Sequence, residues 1–264
     1  MDTFADSRDL ELIKQDKYTF AVLERILSSR YELLLTDHKS YIICHSEDPY
    51  PVWIWTADGL SDEIKETVWD LVMEHRPFSE GYKFNLKYDL ADYFIARSQD
   101  TDQDIHITTQ MFAYDCPSPI APDKAADGFL HCCSSDDIDE AAILHQRFFT
   151  EIGDSHTTLD QSRERVSSHI EDKEFFFWLD KNENTVACCD YQCSEGLAYV
   201  GCVYTIPEYR RRHYAENLVY QVTKLLSDMG LMPMLYTDAE YPASNACYRK
   251  IGYVLQGKLC TVSI

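Results

Sequence analysis

The chain has 264 residues, enough for one large or two modest domains, and its composition, 45% hydrophobic and 26% charged, is that of a globular protein. The formal net charge of −21, from 45 acidic and 24 basic side chains, argues against nucleic acid as a partner, because affinity for nucleic acid comes mainly from basic surface. No apolar run approaches the ~20 residues of a membrane span, and the acidic N-terminal stretch is unlike a signal peptide, so we expect a cytoplasmic protein with no membrane partner.

The ten cysteines fit a reducing compartment. Two adjacent pairs, Cys132 with Cys133 and Cys188 with Cys189, are geometrically poor disulfide partners, and most other cysteines lie within apolar runs. His131 precedes the first pair, but the Cys-x-x-Cys spacing that lets two thiolates share one zinc is missing. We therefore predict no metal site.

The first half of the chain alternates between helical and strand patterns and carries no arginine loop, glycine-rich phosphate turn or nucleophile motif. Strands are expected at residues 31–36, 41–45, 52–55 and 105–114, and helices at residues 5–30, from Ser61 onward and at residues 86–97. Aromatic residues in this half are interpreted as core rather than as a pocket lining. The half therefore has its own core but no chemistry that can be recognised.

Residues 115–128 hold three prolines and few large apolar residues, so they are the best domain boundary in the chain. We predict an N-terminal domain of residues 1–124 and a C-terminal domain of residues 125–264. In the second domain, helices are expected after Ser134, at residues 159–170, at residues 215–229 and around residue 248, and strands at residues 175–179, 186–193, 197–205 and 233–237, with a final strand.

Residues 199–215, YVGCVYTIPEYRRRHYA, join a predicted strand directly to a predicted amphipathic helix. A helix beginning leaves several backbone N–H groups unpaired, and such groups bind anions. Three consecutive arginines, Arg210, Arg211 and Arg212, add positive charge at this junction. The alternative from these residues alone is a solvated basic turn before an ordinary helix.

This junction carries a family resemblance. PEYRRRHYA resembles the pyrophosphate-loop motif Arg/Gln-x-x-Gly-x-Gly/Ala of the GNAT acyltransferase superfamily, whose members bind acetyl-CoA, with Arg210 first and Ala215 last. The motif's internal glycine is His213 here, which keeps the backbone N–H but adds a side chain where phosphate approaches. SNACYRKIGY resembles the second motif of the family, in which Asn245 and Tyr248 share a short helix.

The resemblance covers roughly residues 128–264 and implies an α+β fold, in which a mixed, mostly antiparallel twisted sheet is flanked by helices. The predicted order of elements agrees with it. The first half is similar to the non-catalytic N-terminal halves of two-domain bacterial GNAT proteins. It is expected to be a smaller α/β domain and a degenerate copy of the same fold.

The resemblance also implies roles for individual residues. Tyr248 is the general acid that protonates or hydrogen-bonds the departing CoA sulfur, and one backbone N–H of the strand before the loop is the oxyanion donor. The residues expected to bind acetyl-CoA are Val203, Tyr204 and Thr205 along the pantetheine arm, Arg210, Arg211, Arg212, His213, Tyr214 and Ala215 around the pyrophosphate, and Asn245 beside the arm.

The leading interpretation is an N-acetyltransferase that uses acetyl-CoA to acetylate a primary amine of a small molecule or peptide. The acidic charge favours a cationic acceptor. The general base stays open among Asp190, Tyr199, Glu240 and an ordered water. Two alternatives stay open as well: an inactive module that binds acetyl-CoA as a sensor or scaffold, and a protein-interaction domain without a cofactor. The sequence indicates neither the acceptor nor the oligomeric state.

Overall fold

A computed structural model describes residues 1–153 and 157–264, and the described chain divides into two compact units. The first unit comprises Met1–Ala113, Thr237–Tyr241 and Leu255–Ile264, and the second comprises Tyr114–Tyr236 and Pro242–Val254. The units are therefore not consecutive halves, because the chain returns twice to the first unit. The domain boundary after residue 124 stays a prediction, since compact units do not show where the chain can be cut and still fold.

The secondary structure follows the predicted order through most of the chain. The helices are α1 Ser7–Ile13, α2 Ala21–Leu27, α3 Asp62–His75, α4 Tyr88–Ser98, α5 Ile138–Glu151, α6 Leu159–Glu171, α7 Tyr214–Asp228 and α8 Pro242–Ile251. The strands are β1 Leu33–Thr36, β2 Tyr41–His45, β3 Val52–Thr56, β4 Phe84–Leu86, β5 His106–Asp115, β6 Phe129–Cys132, β7 Phe175–Leu179, β8 Thr185–Ser194, β9 Leu197–Thr205, β10 Met232–Asp238 and β11 Val254–Ser263. Strands β2, β7 and β9 have the predicted bounds.

Two predictions in the first half are wrong in detail. The expected helix over residues 5–30 is broken between α1 and α2, where the Asp16 carboxylate accepts a hydrogen bond from the Trp55 indole at 2.9 Å and pairs with Lys87 at 2.7 Å. These contacts require the chain to turn. Leu86 was expected in a helix but ends β4, where it lies opposite Cys260 of β11.

In the first unit the strand order is β1-β2-β3-β4-β11-β5. β11 therefore lies inside the sheet, antiparallel to β4, although it comes from the end of the sequence. The side chains of α3 and α4 pack against the strands in a core that includes Val68, Trp69, Phe84 and Phe94. Full burial of each such apolar side chain contributes roughly 1.5–3 kcal/mol.

In the second unit the strand order is β10-β9-β8-β7-β6. β6 to β9 are antiparallel neighbours, and β9 and β10 are parallel. Helices α5 and α6 pack through Leu144 and Val166 on Phe175 and Phe177 of β7, and α7 contacts β7, β8 and β9. β6 could not be predicted from the sequence, because its half-exposed side chains show no apolar alternation.

Antiparallel pairs predominate among the described strands, and helices cover them, so the predicted α+β class is confirmed. Across residues 1–153 and 157–264, no helix is long and apolar enough to cross a bilayer.

Candidate functional site

Strands β9 and β10 separate partway along their length. The described pairing of β9 with β10 begins with Met232 opposite Leu197 and ends with Met234 opposite Tyr199. Strand β9 itself continues to Thr205. The β9 backbone beyond Tyr199 thus has an edge without a ladder partner from β10 in the described register. Unpaired strand edges offer N–H and C=O groups to an extended ligand. The predicted arm-binding residues Val203, Tyr204 and Thr205 all lie on this stretch.

A bulge lies on the same stretch of β9. Cys188 of β8 is opposite Tyr204, and Asp190 is opposite Gly201, so Cys202 and Val203 together face the single residue between them. Cys202 has a φ of 46°, which marks the extra residue. A bulge leaves backbone groups outside the ladder and changes their direction. An N–H at this position can therefore point away from β8.

The loop between β9 and α7 has an unusual backbone. A 3-10 turn, Pro207–Tyr209, follows the strand, and Arg211 and His213 then adopt left-handed conformations with φ of 64° and 67°. Alternation of left-handed and other residues brings successive N–H groups to one side, which is how backbone binds phosphate. His213, at the internal glycine of the motif, is one of these left-handed residues and directly precedes α7.

The three arginines of the loop differ in their surroundings. The Arg210 guanidinium donates from Nε to the Thr205 carbonyl at 3.0 Å and from an Nη to the Glu151 carboxylate at 2.5 Å, and it lies 5.7 Å over the Tyr204 ring. Its charge is therefore engaged by the protein itself. Arg211 and Arg212 are exposed, and Arg212 lies over the Tyr209 ring at 5.5 Å.

Residues 115–128, predicted as a boundary segment, pack on the first turn of α7. The Tyr214 hydroxyl donates to Asp127 at 2.6 Å, and this hydrogen bond raises the pKa of Tyr214 to about 12. Asn217 donates to the Lys124 carbonyl at 3.0 Å and to the His213 carbonyl at 2.9 Å. These contacts fix the helix beginning, including Ala215, and with it the direction of its N–H groups.

An acidic side chain also lies at this helix beginning. The Glu216 carboxylate is 3.0 Å from Nδ1 of His213. Glu216 also lines a cavity of about 140 Å³, with Ile120, Ala121, Pro122, Asp123 and Lys250. A negative charge here favours the helix but competes with a bound phosphate.

The predicted residues of α8 are both buried. Asn245 accepts a hydrogen bond from the Tyr114 hydroxyl at 3.2 Å. Tyr248 stands edge-on to Tyr253 with ring centroids 5.9 Å apart, and burial raises the pKa of Tyr248. The phenol of Tyr248 is thus protonated at neutral pH, as a general acid must be.

The candidate bases have different locations. Glu240 belongs to the first unit, where it accepts from the Gln110 amide at 2.9 Å. Tyr199 and Asp190 lie on β9 and β8 of the second unit. Asp190 is buried beside His169 and Glu174, at 3.9 Å from the His169 ring. Neither His169 nor Glu174 was predicted as a site residue, because nothing in the local sequence pattern indicates that they lie beside β8.

The His131, Cys133 and Asp137 side chains place potential ligand atoms within 4.8 Å of one another. The Asp137 carboxylate already accepts hydrogen bonds from the Ser134 backbone at 2.7 Å and hydroxyl at 3.0 Å, as part of a capping box of the 3-10 turn Ser135–Asp137 that precedes α5. The cluster is thus explained by the helix cap, and the absence of a metal stays a prediction.

The sequence profile of the Acetyltransferase (GNAT) family matches residues 139–253. An acetyltransferase of the GNAT family from Colwellia psychrerythraea aligns over 99% of this chain and 97% of its own at 12% identity and a TM-score of 0.60. A GCN5-related N-acetyltransferase from Sphaerobacter thermophilus aligns over 99% and 94% at 12% identity and a TM-score of 0.65. A third, from Kribbella flavida, aligns over 93% of each chain at 16% identity and a TM-score of 0.62.

No curated protein matches the sequence significantly. At these identities the likeness to the solved structures shows the fold, and it extends over nearly the whole chain. The matched profile spans the predicted pyrophosphate loop and the second motif. Residues 139–253 therefore carry the sequence profile of a GNAT acetyltransferase domain, within a chain that has the GNAT fold.

Proposed function

We propose that the protein is an N-acetyltransferase that takes the acetyl group from acetyl-CoA and transfers it to a primary amine of a small molecule or peptide. The observation that carries this proposal is the separation of β9 from β10 beyond Tyr199, directly before a loop with two left-handed residues. The β9 edge suits an extended pantetheine arm, and the loop after it suits a diphosphate.

The groups available for donor binding fit coenzyme A chemically. The backbone N–H groups of residues 211–215 belong to the loop end and the first residues of α7. The Arg211 and Arg212 side chains supply exposed positive charge. Arg210, held by Glu151 and Thr205, is assigned to hold the loop in shape rather than to pair with phosphate.

The groups available for chemistry lie on β9 and α8. A backbone N–H at the bulge of Cys202 and Val203 is assigned to the oxygen of the thioester carbonyl, where negative charge develops during attack. Tyr248 is assigned to protonate the departing thiolate. Asn245 is assigned to orient the arm. The overall charge of −21 favours an acceptor that arrives as a cation.

Two measurements test the proposal. Calorimetric titration with acetyl-CoA reports binding, and release of free CoA thiol in the presence of primary amines reports transfer.

The double variant Arg211→Ala/Arg212→Ala is expected to weaken binding of acetyl-CoA ~10-fold or more, because each charged contact to phosphate contributes roughly 1 kcal/mol. The matched control is Arg8→Ala/Arg163→Ala, which removes two exposed arginines elsewhere. Equal affinity in both double variants contradicts the pyrophosphate assignment.

A second candidate function is an inactive module that binds acetyl-CoA as a sensor or scaffold. The observation in its favour is His213 at the motif glycine, held to Glu216 at the place where phosphate approaches. Binding of acetyl-CoA without thiol release from any amine in a broad library would support this candidate. No binding at millimolar concentration would contradict both.

A further inference from the structure

A buried cluster of three titratable side chains lies beside β9. Nδ1 of His169, at the end of α6, is 3.9 Å from a carboxylate oxygen of Glu174 and 3.9 Å from one of Asp190. The three side chains are 10%, 18% and 12% exposed, so each is largely buried yet touches solvent. Asp190 is one of the three candidate bases of the site, and no role has so far been given to His169 or Glu174.

The cluster contains an unsatisfied polar atom. Nδ1 of His169 has no hydrogen-bond partner within residues 1–153 and 157–264, although the residue is only 8% exposed. Buried polar atoms nearly always have a partner, and one without a partner points to a missing water or ligand group. The 3.9 Å separations exceed hydrogen-bond length, so a donor placed beside this nitrogen would also be near the carboxylates.

The cluster adjoins the bulge through Gly201. Gly201 lies opposite Asp190, and a Cβ added to it would come within 2.7 Å of Oδ1 of Asp190. The carboxylate thus lies directly over the β9 backbone, one residue before the bulge at Cys202. Glycine at this position lets an anionic oxygen approach the stretch where the thioester is expected.

We propose that Asp190 is the base that takes a proton from the ammonium group of the acceptor, with His169 and Glu174 as positioning residues around that ammonium. This assignment rests on the proposed function, since it presumes transfer of an acetyl group at β9. Carboxylate oxygens and the lone pair of a neutral imidazole are the acceptors that three ammonium hydrogens require.

The ammonium gives one proton to Asp190, and the resulting neutral nitrogen forms a bond to the carbonyl carbon as the C–O π electrons move onto oxygen. The adduct nitrogen then loses a second proton to solvent water, the C–O double bond re-forms and the C–S bond breaks. The sulfur receives a proton from Tyr248, which is reprotonated through solvent. One hydrogen stays on the amide, one ends on the thiol and one leaves Asp190 for solvent.

The charges around the cluster suit this role. Burial raises the pKa of Asp190 and of Glu174 and lowers the pKa of His169. The other charged groups that act on the cluster are Arg165 of α6 and Asp172 after it, and His145 of α5 is also affected by His169. A carboxylate with a raised pKa is a stronger base than an exposed one, which is what proton removal from an amine needs.

The test uses the full chain with acetyl-CoA, and n-butylamine and a tripeptide with a free N-terminus as acceptor probes. Asp190→Asn is expected to lower the rate of CoA thiol release ~10²-fold or more while the calorimetric affinity for acetyl-CoA stays within about twofold. The matched control is Glu171→Gln, which removes one exposed carboxylate from the same end of α6. Gly201→Ala, which pushes the carboxylate away, is expected to slow release as well.

The pH profile separates a base from a structural residue. In wild type, kcat/KM is expected to fall as the pH drops through the raised pKa of Asp190, because a protonated carboxyl group cannot accept a proton. His169→Gln is expected to move this acidic limb, and Asp190→Asn to remove it. An Asp190→Asn chain with the wild-type rate and profile overturns the base assignment alone. A wild-type chain that binds acetyl-CoA but releases no thiol overturns the proposed transfer and the base assignment together.

Discussion

His213 stands at the position of the internal glycine of the pyrophosphate motif, and its φ of 67° explains why that motif contains glycine. The left-handed conformation costs a residue with a Cβ roughly 1–2 kcal/mol of conformational free energy. Its ring also lies at the beginning of α7, where Nδ1 is 3.0 Å from the Glu216 carboxylate. The backbone strain and the crowding of the anion site therefore have the same origin, which is a histidine at the position of the motif glycine.

Replacement of this residue gives the first prediction. His213→Gly is expected to raise the free energy of unfolding by ~0.5–1 kcal/mol, because relief of strain exceeds the added flexibility of the unfolded chain. It is also expected to tighten binding of acetyl-CoA. Urea unfolding and calorimetry measure the two effects. His213→Ala is the control, since it loses the same ring but keeps the Cβ, and an equal gain in that variant would contradict the strain argument.

Tyr248 provides the second prediction at this scale. Tyr248→Phe is expected to lower kcat for acetyl transfer ~10²-fold, because the thiolate loses its proton donor. The ring still packs against Tyr253, so the unfolding midpoint is expected to change little. Thiol release under saturating acetyl-CoA measures the effect.

Tyr253→Phe is the matched control for Tyr248→Phe. It removes a buried hydroxyl that is bonded to Thr223 at 2.8 Å, outside the proposed chemistry. This control is expected to lower stability and leave kcat unchanged. Equal kcat in the two variants would mean that the Tyr248 hydroxyl has only a structural role.

At the scale of elements, α5 and α6 meet through a buried histidine. Nδ1 of His145 lies 3.0 Å from the Ser162 hydroxyl, and its Nε2 has no hydrogen-bond partner in the described part of the chain. Burial, with the nearby charges of Arg165 and His169, lowers the pKa of His145 from its ordinary 6.5 to about 4. The packed helices thus contain a histidine that resists protonation.

The third prediction follows from this pKa. Below pH 6.5 the unfolded chain binds a proton at His145 that the folded chain takes up only near pH 4, so stability is lost as pH falls through this window. The loss attributable to His145 is expected to be ~2 kcal/mol between pH 7 and pH 5 and to reach ~3 kcal/mol only below pH 4. Urea unfolding at pH 7 and pH 5 measures it, and His145→Gln is the control.

The difference between wild type and His145→Gln is the informative quantity, because Asp190 and Glu174 titrate in the opposite sense. Their raised pKa values make the folded chain bind protons first, which stabilises it as pH falls. A variant that loses as much stability as wild type between pH 7 and pH 5 would show that His145 is not the group responsible.

Elements with strong periodicity were predictable from the sequence, and elements that depend on distant partners were not. The apolar runs of β7 and β9 and the stripe of α7 gave correct strands and helices, since local pattern determines them. The break after α1 depends on Trp55 and Lys87, far along the chain. The meeting of His169 with Asp190 depends on how α6 packs over β8, which no spacing reveals.

At the scale of the whole molecule, the domain boundary after residue 124 stays a prediction. The described chain divides into two compact units, and the first of them includes two later segments, Thr237–Tyr241 and Leu255–Ile264. The pattern of the final strand indicated a strand but not its neighbours. β11 lies between β4 and β5, and Cys260 is opposite Leu86. A strand inside a sheet contributes ladder hydrogen bonds on both sides, so its removal leaves two unpaired edges.

The fourth prediction concerns this strand. A fragment of residues 1–124 is expected to remain unfolded, whereas the same fragment joined through a flexible Gly/Ser linker to residues 255–264 is expected to gain dispersed amide resonances and a cooperative thermal transition. The control carries the same ten residues in scrambled order. If residues 1–124 unfold cooperatively by themselves, β11 is dispensable and the boundary after residue 124 is supported.

The inner position of β11 has a consequence for biosynthesis. Residues 1–113 leave the ribosome early, but their sheet must wait until residues 255–264 have been translated, and β4 and β5 stay exposed during that interval. Exposed strand edges invite pairing with other nascent chains. The later-made second unit acquires its own strands before the earlier-made one is complete, so the order of folding is the reverse of the order of translation.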